Sequence, residues 1–169
     1  SLAKIERQLA DDATGRMRTN SALLSYIPAG TIVYGAIPNL GGTIGRALLA
    51  ADQQSAESAA FGAWWNSETG LLLRQIGDRV QAVSSLLGDE IAFCAVSPVP
   101  GKQLPLVIAP VQPGKAAEVA SAFEGLFAGT DEPTPPYSVA NELMVVSNTP
   151  EHLSWALRHL GEGAGSPFA

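Results

Sequence analysis

The stretch YGAIPNLGGTIGRALLAAD, from Tyr34 to Asp52, is where residue types and spacing come nearest to a nucleotide site. An apolar run ends in a glycine cluster and a helical pattern follows. In that setting, backbone N–H groups at a helix N-terminus can hold a phosphate. A dinucleotide fingerprint needs Gly-x-Gly-x-x-Gly between strand and helix, with an acidic residue about 20 positions on at the end of a second strand. Gly42 and Gly45 match its last two glycines, but Leu40 stands at the first, and the sequence beyond stays helical. No Gly-Lys-Ser/Thr follows, so the P-loop pattern fails as well. The glycines are expected to turn the chain out of a strand and cap the next helix.

Other reactive side chains are scattered. His152 and His159 lie seven apart on a helical pattern, two turns or about 10 Å along the axis, with Ala156 between them. That is too far for one metal ion, and they read as surface or rim histidines. Cys94, the single cysteine, excludes an internal disulfide and a cysteine-based zinc site. It sits mid-strand among apolar neighbours, where cysteine behaves as a small hydrophobe. The acidic pairs Asp11-Asp12, Asp89-Glu90 and Asp131-Glu132 are adjacent residues, which lack the geometry of a catalytic dyad. Gly-x-Ser-x-Gly is absent. Neither a nucleophile, a metal set nor a cofactor loop emerges, and the expectation is a chain that is not an enzyme and takes no cofactor. Trp64-Trp65 is the least ordinary dipeptide. On a helix the two rings diverge by about 100°, so one can anchor in a core while its neighbour meets solvent or a partner.

The elements that must position these residues follow from periodicity. TIVYGAI (31–37) is β-branched and aromatic, a strand. Helical spacing begins at Thr43 and continues through an alanine-rich run to Trp65. Leu72, Ile76, Val80, Val83 and Leu87 then mark a long helix ending near Gly88. DEIAFCAVS and QLPLVIAPV read as a hairpin; Pro105 and Pro110 should shorten the second strand's ladder or push it to an edge. A helix over PGKAAEVASAFEGLFAG is followed by a short hairpin turning at Ala140-Asn141. A last helix starts with Thr149 as N-cap and Pro150 at its first position. The order suggests an α+β fold of the ferredoxin-like, split βαβ kind. It would have an antiparallel sheet, helices on one face, and a helical insert after the first strand.

A strand with one wet face alternates apolar with polar residues. Here Ile91, Phe93 and Ala95 point one way, and Ala92, Cys94 and Val96 the other. Both faces should therefore be covered, by the insert, by a second copy, or by more of a parent chain. Tyr34, Trp64, Trp65, Cys94 and Val96 are the candidate contact residues.

With 169 residues the chain suits one domain, divided as an N-terminal helical arm or linker (1–25), an α+β domain (26–161) and the start of a truncated connector (162–169). The apolar share of 46% supplies a core, and the charged share of 15% is low beside the usual ~25%. A net charge of −6 with no basic run argues against nucleic acid. No apolar stretch reaches the about 18 residues of a membrane span.

LLSYIPAGTIVYGAIPNLGGTIGRA, then WWN, LGDEIAF and LPLVIAPVQPGKAAEVASAFEGL, resembles an uncharacterised bacterial family, some of whose members lie downstream of FecR-type sensor domains. Ile27 replaces that family's usual leucine before Pro28. The resemblance implies a periplasmic domain of a membrane-anchored parent, with no catalytic residues to transfer. The expectation is a non-enzymatic interaction or scaffold domain whose partner is protein, either a second copy or the rest of the parent chain. A small-ligand sensor is the alternative.

Overall fold

The computed structural model describes residues 21–99 and 101–162. Most of the expected N-terminal arm and nearly all of the expected connector lie outside them. A 3₁₀ turn (Ala22–Ser25) leads into β1 (Thr31–Pro38), α1 (Leu40–Glu57), α2 (Ala59–Trp65), α3 (Glu68–Leu86), β2 (Glu90–Val99) and β3 (Lys102–Pro110). Then come α4 (Ala116–Phe127), β4 (Tyr137–Ala140), β5 (Leu143–Ser147) and α5 (Pro150–His159). The fold is α+β, with two compact units: the helices of Leu40–Ser85, and a sheet unit built from the chain on either side of them.

In the sheet unit five strands run antiparallel in the order β1-β2-β3-β5-β4. A split βαβ sheet would hold β1 in its interior. Here, among the described residues, β1 is an edge strand paired with β2 alone. The reason is local: Pro38 pairs with Glu90, and Asn39 N–H donates to the Asp89 carbonyl at 2.7 Å. The chain thus returns to the end of β1 that it left, and β2 can only run antiparallel beside it.

β3 lies inside the sheet despite its prolines. Its ladder with β5 spans only Leu106↔Ser147 to Pro110↔Leu143, so Pro105 stands just past the end, where no N–H is required. There the Ser147 hydroxyl donates to the Pro105 carbonyl at 3.3 Å. The β4–β5 hairpin turns through Asn141 and Glu142, both left-handed at φ 51° and 59°, the conformation that fits the strand twist. α5 begins as its sequence dictates: Thr149 Oγ1 accepts from His152 N–H at 3.2 Å, with Pro150 first in the helix.

Ala92↔Ile108, Cys94↔Leu106 and Ile108↔Val145 are cross-strand partners and share one face. Leu23 and Ile27 from the N-terminal turn and Ala156 from α5 complete that core. The opposite face includes Tyr137, whose ring meets Phe123 of α4 edge-on at 5.0 Å. Helices therefore pack on both faces, not one. A single-faced arrangement would have left Ala109 and Met144 wet, and both are buried.

Candidate functional site

Two glycines of the opening stretch, Gly41 and Gly45, serve helix packing. Asn39, at φ 48°, makes the turn, and α1 starts at Leu40, so Gly41 and Gly45 lie within the helix and do not cap it. A Cβ on Gly41 would stand 3.0 Å from Ser84 Cβ, and one on Gly45 2.6 Å from Gln81 Nε2. From the other side, a Cβ on Gly77 would meet Leu48 Cδ2 at 3.0 Å. Contacts 41–84, 45–81 and 48–77 describe antiparallel helices brought close by missing side chains. The spacing that mimics a phosphate loop is a seam between α1 and α3.

At one end of that seam sits the tryptophan pair. Trp65 is buried, and its Nε1–H donates to Asp52 Oδ1 at 2.7 Å. The Arg74 guanidinium lies 4.8 Å above the Trp65 ring and donates through Nη2 to the Trp65 carbonyl at 3.2 Å. The Phe61 ring stacks with that of Trp65 at 6.1 Å between centroids. These contacts tie α1, α2 and α3 together. Trp64 is 43% exposed, so one ring anchors and its neighbour faces outward, as helical geometry requires.

The remaining candidates are placed in the sheet unit. Tyr34 is half-buried; its hydroxyl bonds Ser21 Oγ and lies 3.4 Å from Glu90 Oε1. Burial, and then the nearby Glu90 charge, raise its pKa against the lowering effect of the Ser21 bond. Cys94 and Val96 belong to the core under the N-terminal turn and α5, so neither is available to a partner. The expectation failed there because the Leu23/Ile27 turn and α5 cover that face from within the chain. Burial pushes the Cys94 thiol up to about 11, which leaves it protonated and unreactive at neutral pH. His152 bonds Asn148, and His159 stacks on Trp155 at 4.4 Å while bonding its carbonyl. Among the described residues no group of three or more His, Cys, Asp or Glu side chains could hold a metal ion.

Open apolar surface is found in each unit. Val33, Gly35 and Ile37 pair with Ala95, Phe93 and Ile91, which sets all six positions on one sheet face. There Val33 is 57%, Phe93 42% and Ile37 41% exposed. In the helical unit Leu73, Ile76, Val80 and Val83 follow the spacing i, i+3, i+7, i+10 of a packing stripe. Val83 is buried, whereas Leu73 and Ile76 are exposed. Periodicity identifies such stripes but does not say how much of each is covered.

A cleft of about 690 Å³ lies between Tyr26, the β4–β5 hairpin and the end of α5. Leu143, Val145, Leu157 and Leu160 supply its apolar lining and Ser138 and Asn141 polar groups; among the described residues no charged side chain lines it. Nothing in the sequence announced it, because its residues come from three separate segments. No described helix is long and apolar enough to cross a membrane. Comparison with family models, curated proteins and solved structures finds no match to this chain.

Proposed function

We propose that this chain is a non-enzymatic interaction or scaffold domain of a larger, membrane-anchored bacterial envelope protein, acting on the periplasmic side. The helices after β1 are read as an insertion into a β1–β2 hairpin, the helical insert that the sequence suggests. The periplasmic setting and the longer parent rest on the resemblance of the IPAGTIVYGAIPNLGG region to FecR-associated domains. The observation that carries the interaction role is the sheet patch of Val33, Ile37 and Phe93. A patch of contiguous apolar side chains on a sheet is the usual mark of a protein contact. Its partner is a second copy or the remainder of the parent chain; Trp64 and the Leu73/Ile76 stripe offer a second surface of the same kind.

The test is the solution mass of this chain and of the longer parent, each with and without Phe93→Glu. Association of the wild type, with itself or within the parent, should be lost in the variant while far-UV circular dichroism is unchanged. A wild-type chain that stays monomeric in both settings, with an equally accessible Phe93, removes the reading. The cleft beside α5 favours a second reading, a small-ligand sensor. Its uncharged, mainly apolar lining would suit a neutral ligand.

A further inference from the structure

The sheet edge opposite β1 borders the cleft beside α5. Strand β4 (Tyr137–Ala140) has β5 as its only neighbour among the described residues. The register decides which of its backbone groups face outward. Ser147 N–H donates to the Pro136 carbonyl at 3.0 Å, one step beyond the pair Tyr137↔Val146. Bonded and non-bonded pairs alternate along an antiparallel ladder, so Ser138↔Val145 and Ala140↔Leu143 are bonded pairs. Tyr137 and Val139 therefore turn their N–H and C=O groups away from β5. The strand is held in that attitude from its other face. There the Tyr137 ring meets Phe123 of α4 at 5.0 Å, and its hydroxyl donates to Glu124 Oε1 at 2.6 Å.

The same strand forms part of the cleft. Ser138 and Ala140 line it together with their cross-strand partners Val145 and Leu143, and Leu157 and Tyr26 stand over them. Ser138 and Ala140 are small, so a strand laid along β4 could lean larger side chains across them onto Leu143, Val145 and Leu157. Side chains of such a strand alternate, and every second one falls on the cleft side. Among the described residues no charged side chain lines the cleft, which matches it to uncharged apolar groups. Leu157, 40% exposed, and Tyr26, 46% exposed, are the surface those groups would cover. We infer that the groove bounded by β4 and the end of α5 takes an extended peptide, added to the five strands as a sixth, whose alternate apolar side chains fill the cleft. Main-chain bonds to Tyr137 and Val139 supply affinity, and the cleft selects the side chains. The inference stands apart from the Val33, Ile37 and Phe93 patch, which lies on β1 and β2 at the other end of the strand order.

The experiment titrates the isotope-labelled full chain with blocked peptides Lys-X-Thr-X-Thr-X-Lys, where X is Val, Leu or Phe. In a strand these set every X on one face. At least one of them should shift the Tyr137 and Val139 amides and the Leu143, Val145 and Leu157 methyl groups. Hydrogen exchange at the two amides should slow by about tenfold or more. Two N-methylated forms, one at the X positions and one at the Thr and Lys positions, separate edge pairing from simple filling of the cleft. An added strand turns only alternate N–H groups toward β4, so one form should lose about tenfold in affinity while the other binds like the parent peptide. Val139→Pro removes an outward N–H at an edge position where proline is tolerated, and should weaken binding comparably with far-UV circular dichroism unchanged. Leu157→Asp, which leaves β4 intact and puts a charge in the cleft, should do the same. Phe93→Glu should bind like the wild type, so this inference and the sheet-patch reading fail separately. Equal affinity of the two methylated forms overturns the inference. So do shifts that fall outside β4 and the cleft, or no binding by any of the peptides up to about 1 mM.

Discussion

Three glycine-to-alanine substitutions test whether glycine in this chain marks close packing. Each glycine lies in a helix, where alanine is favoured by up to about 1 kcal/mol, so any loss must come from steric contact. A Cβ on Gly70 would stand 2.2 Å from the Trp65 carbonyl oxygen and 2.7 Å from that of Trp64. These are backbone atoms, and they must retreat by roughly 1 Å, a strain that typically costs about 1–3 kcal/mol. The Trp65 carbonyl is also the acceptor for Arg74 Nη2, whose bond contributes about 1 kcal/mol more. Gly70→Ala should therefore destabilise by about 2 kcal/mol net. At Gly77 the nearest atom is the end of a leucine side chain at 3.0 Å, which can swing away; Gly77→Ala should be near neutral. At Gly125 nothing lies within 4 Å, and Gly125→Ala should stabilise by about 0.5–1 kcal/mol. Urea unfolding followed by tryptophan fluorescence and far-UV circular dichroism measures all three. If Gly70→Ala proves as stable as Gly125→Ala, the steric reasoning is wrong.

Two further outcomes are expected. The Cys94 thiol is raised to about 11 by burial, above its unfolded value near 9. A raised acid pKa means that the folded state favours the neutral thiol, so its contribution is full below about pH 9 and is lost as pH climbs toward 11. Stability should fall by roughly 2–3 kcal/mol across that window. Cys94→Ala should flatten the fall, leaving only the tyrosine part, and a slope of the same size in the variant would refute the assignment. In the β4–β5 turn, Glu142 holds a left-handed conformation that disfavours a side chain, so Glu142→Gly should raise the urea midpoint by about 0.5–1 kcal/mol of stability. A drop would mean that Glu142 makes a compensating contact.

Much of the local structure was legible in the residues. Thr149-Pro150 announced the start of α5, and the β2–β3 and β4–β5 hairpins stand where turn residues interrupt apolar runs. Periodicity identified α3, and the 100° divergence of neighbouring helical side chains anticipated that one tryptophan would be buried and one exposed. What periodicity cannot report is which stripe meets which. Leu73 and Val83 belong to one stripe, yet one is open and the other closed. Cys94 and Val96 looked like a surface awaiting a partner because the segment that covers them, Leu23 to Ile27, lies some 70 residues earlier in the chain.

The glycine cluster after β1 draws the line between the two sources. From the sequence alone it follows that no phosphate loop is complete there, since the required glycine, lysine and second strand are missing. The sequence also determines that the chain carries a core and that its strands are apolar on both sides. Only the tertiary structure decided that Gly41 and Gly45 form a seam against Ser84 and Gln81. It alone decided that β1 closes back on β2 at a sheet edge. The reason is distance along the chain. Turn and cap preferences act over a few residues, whereas a missing Cβ reveals its purpose only through the backbone that approaches it from forty positions away.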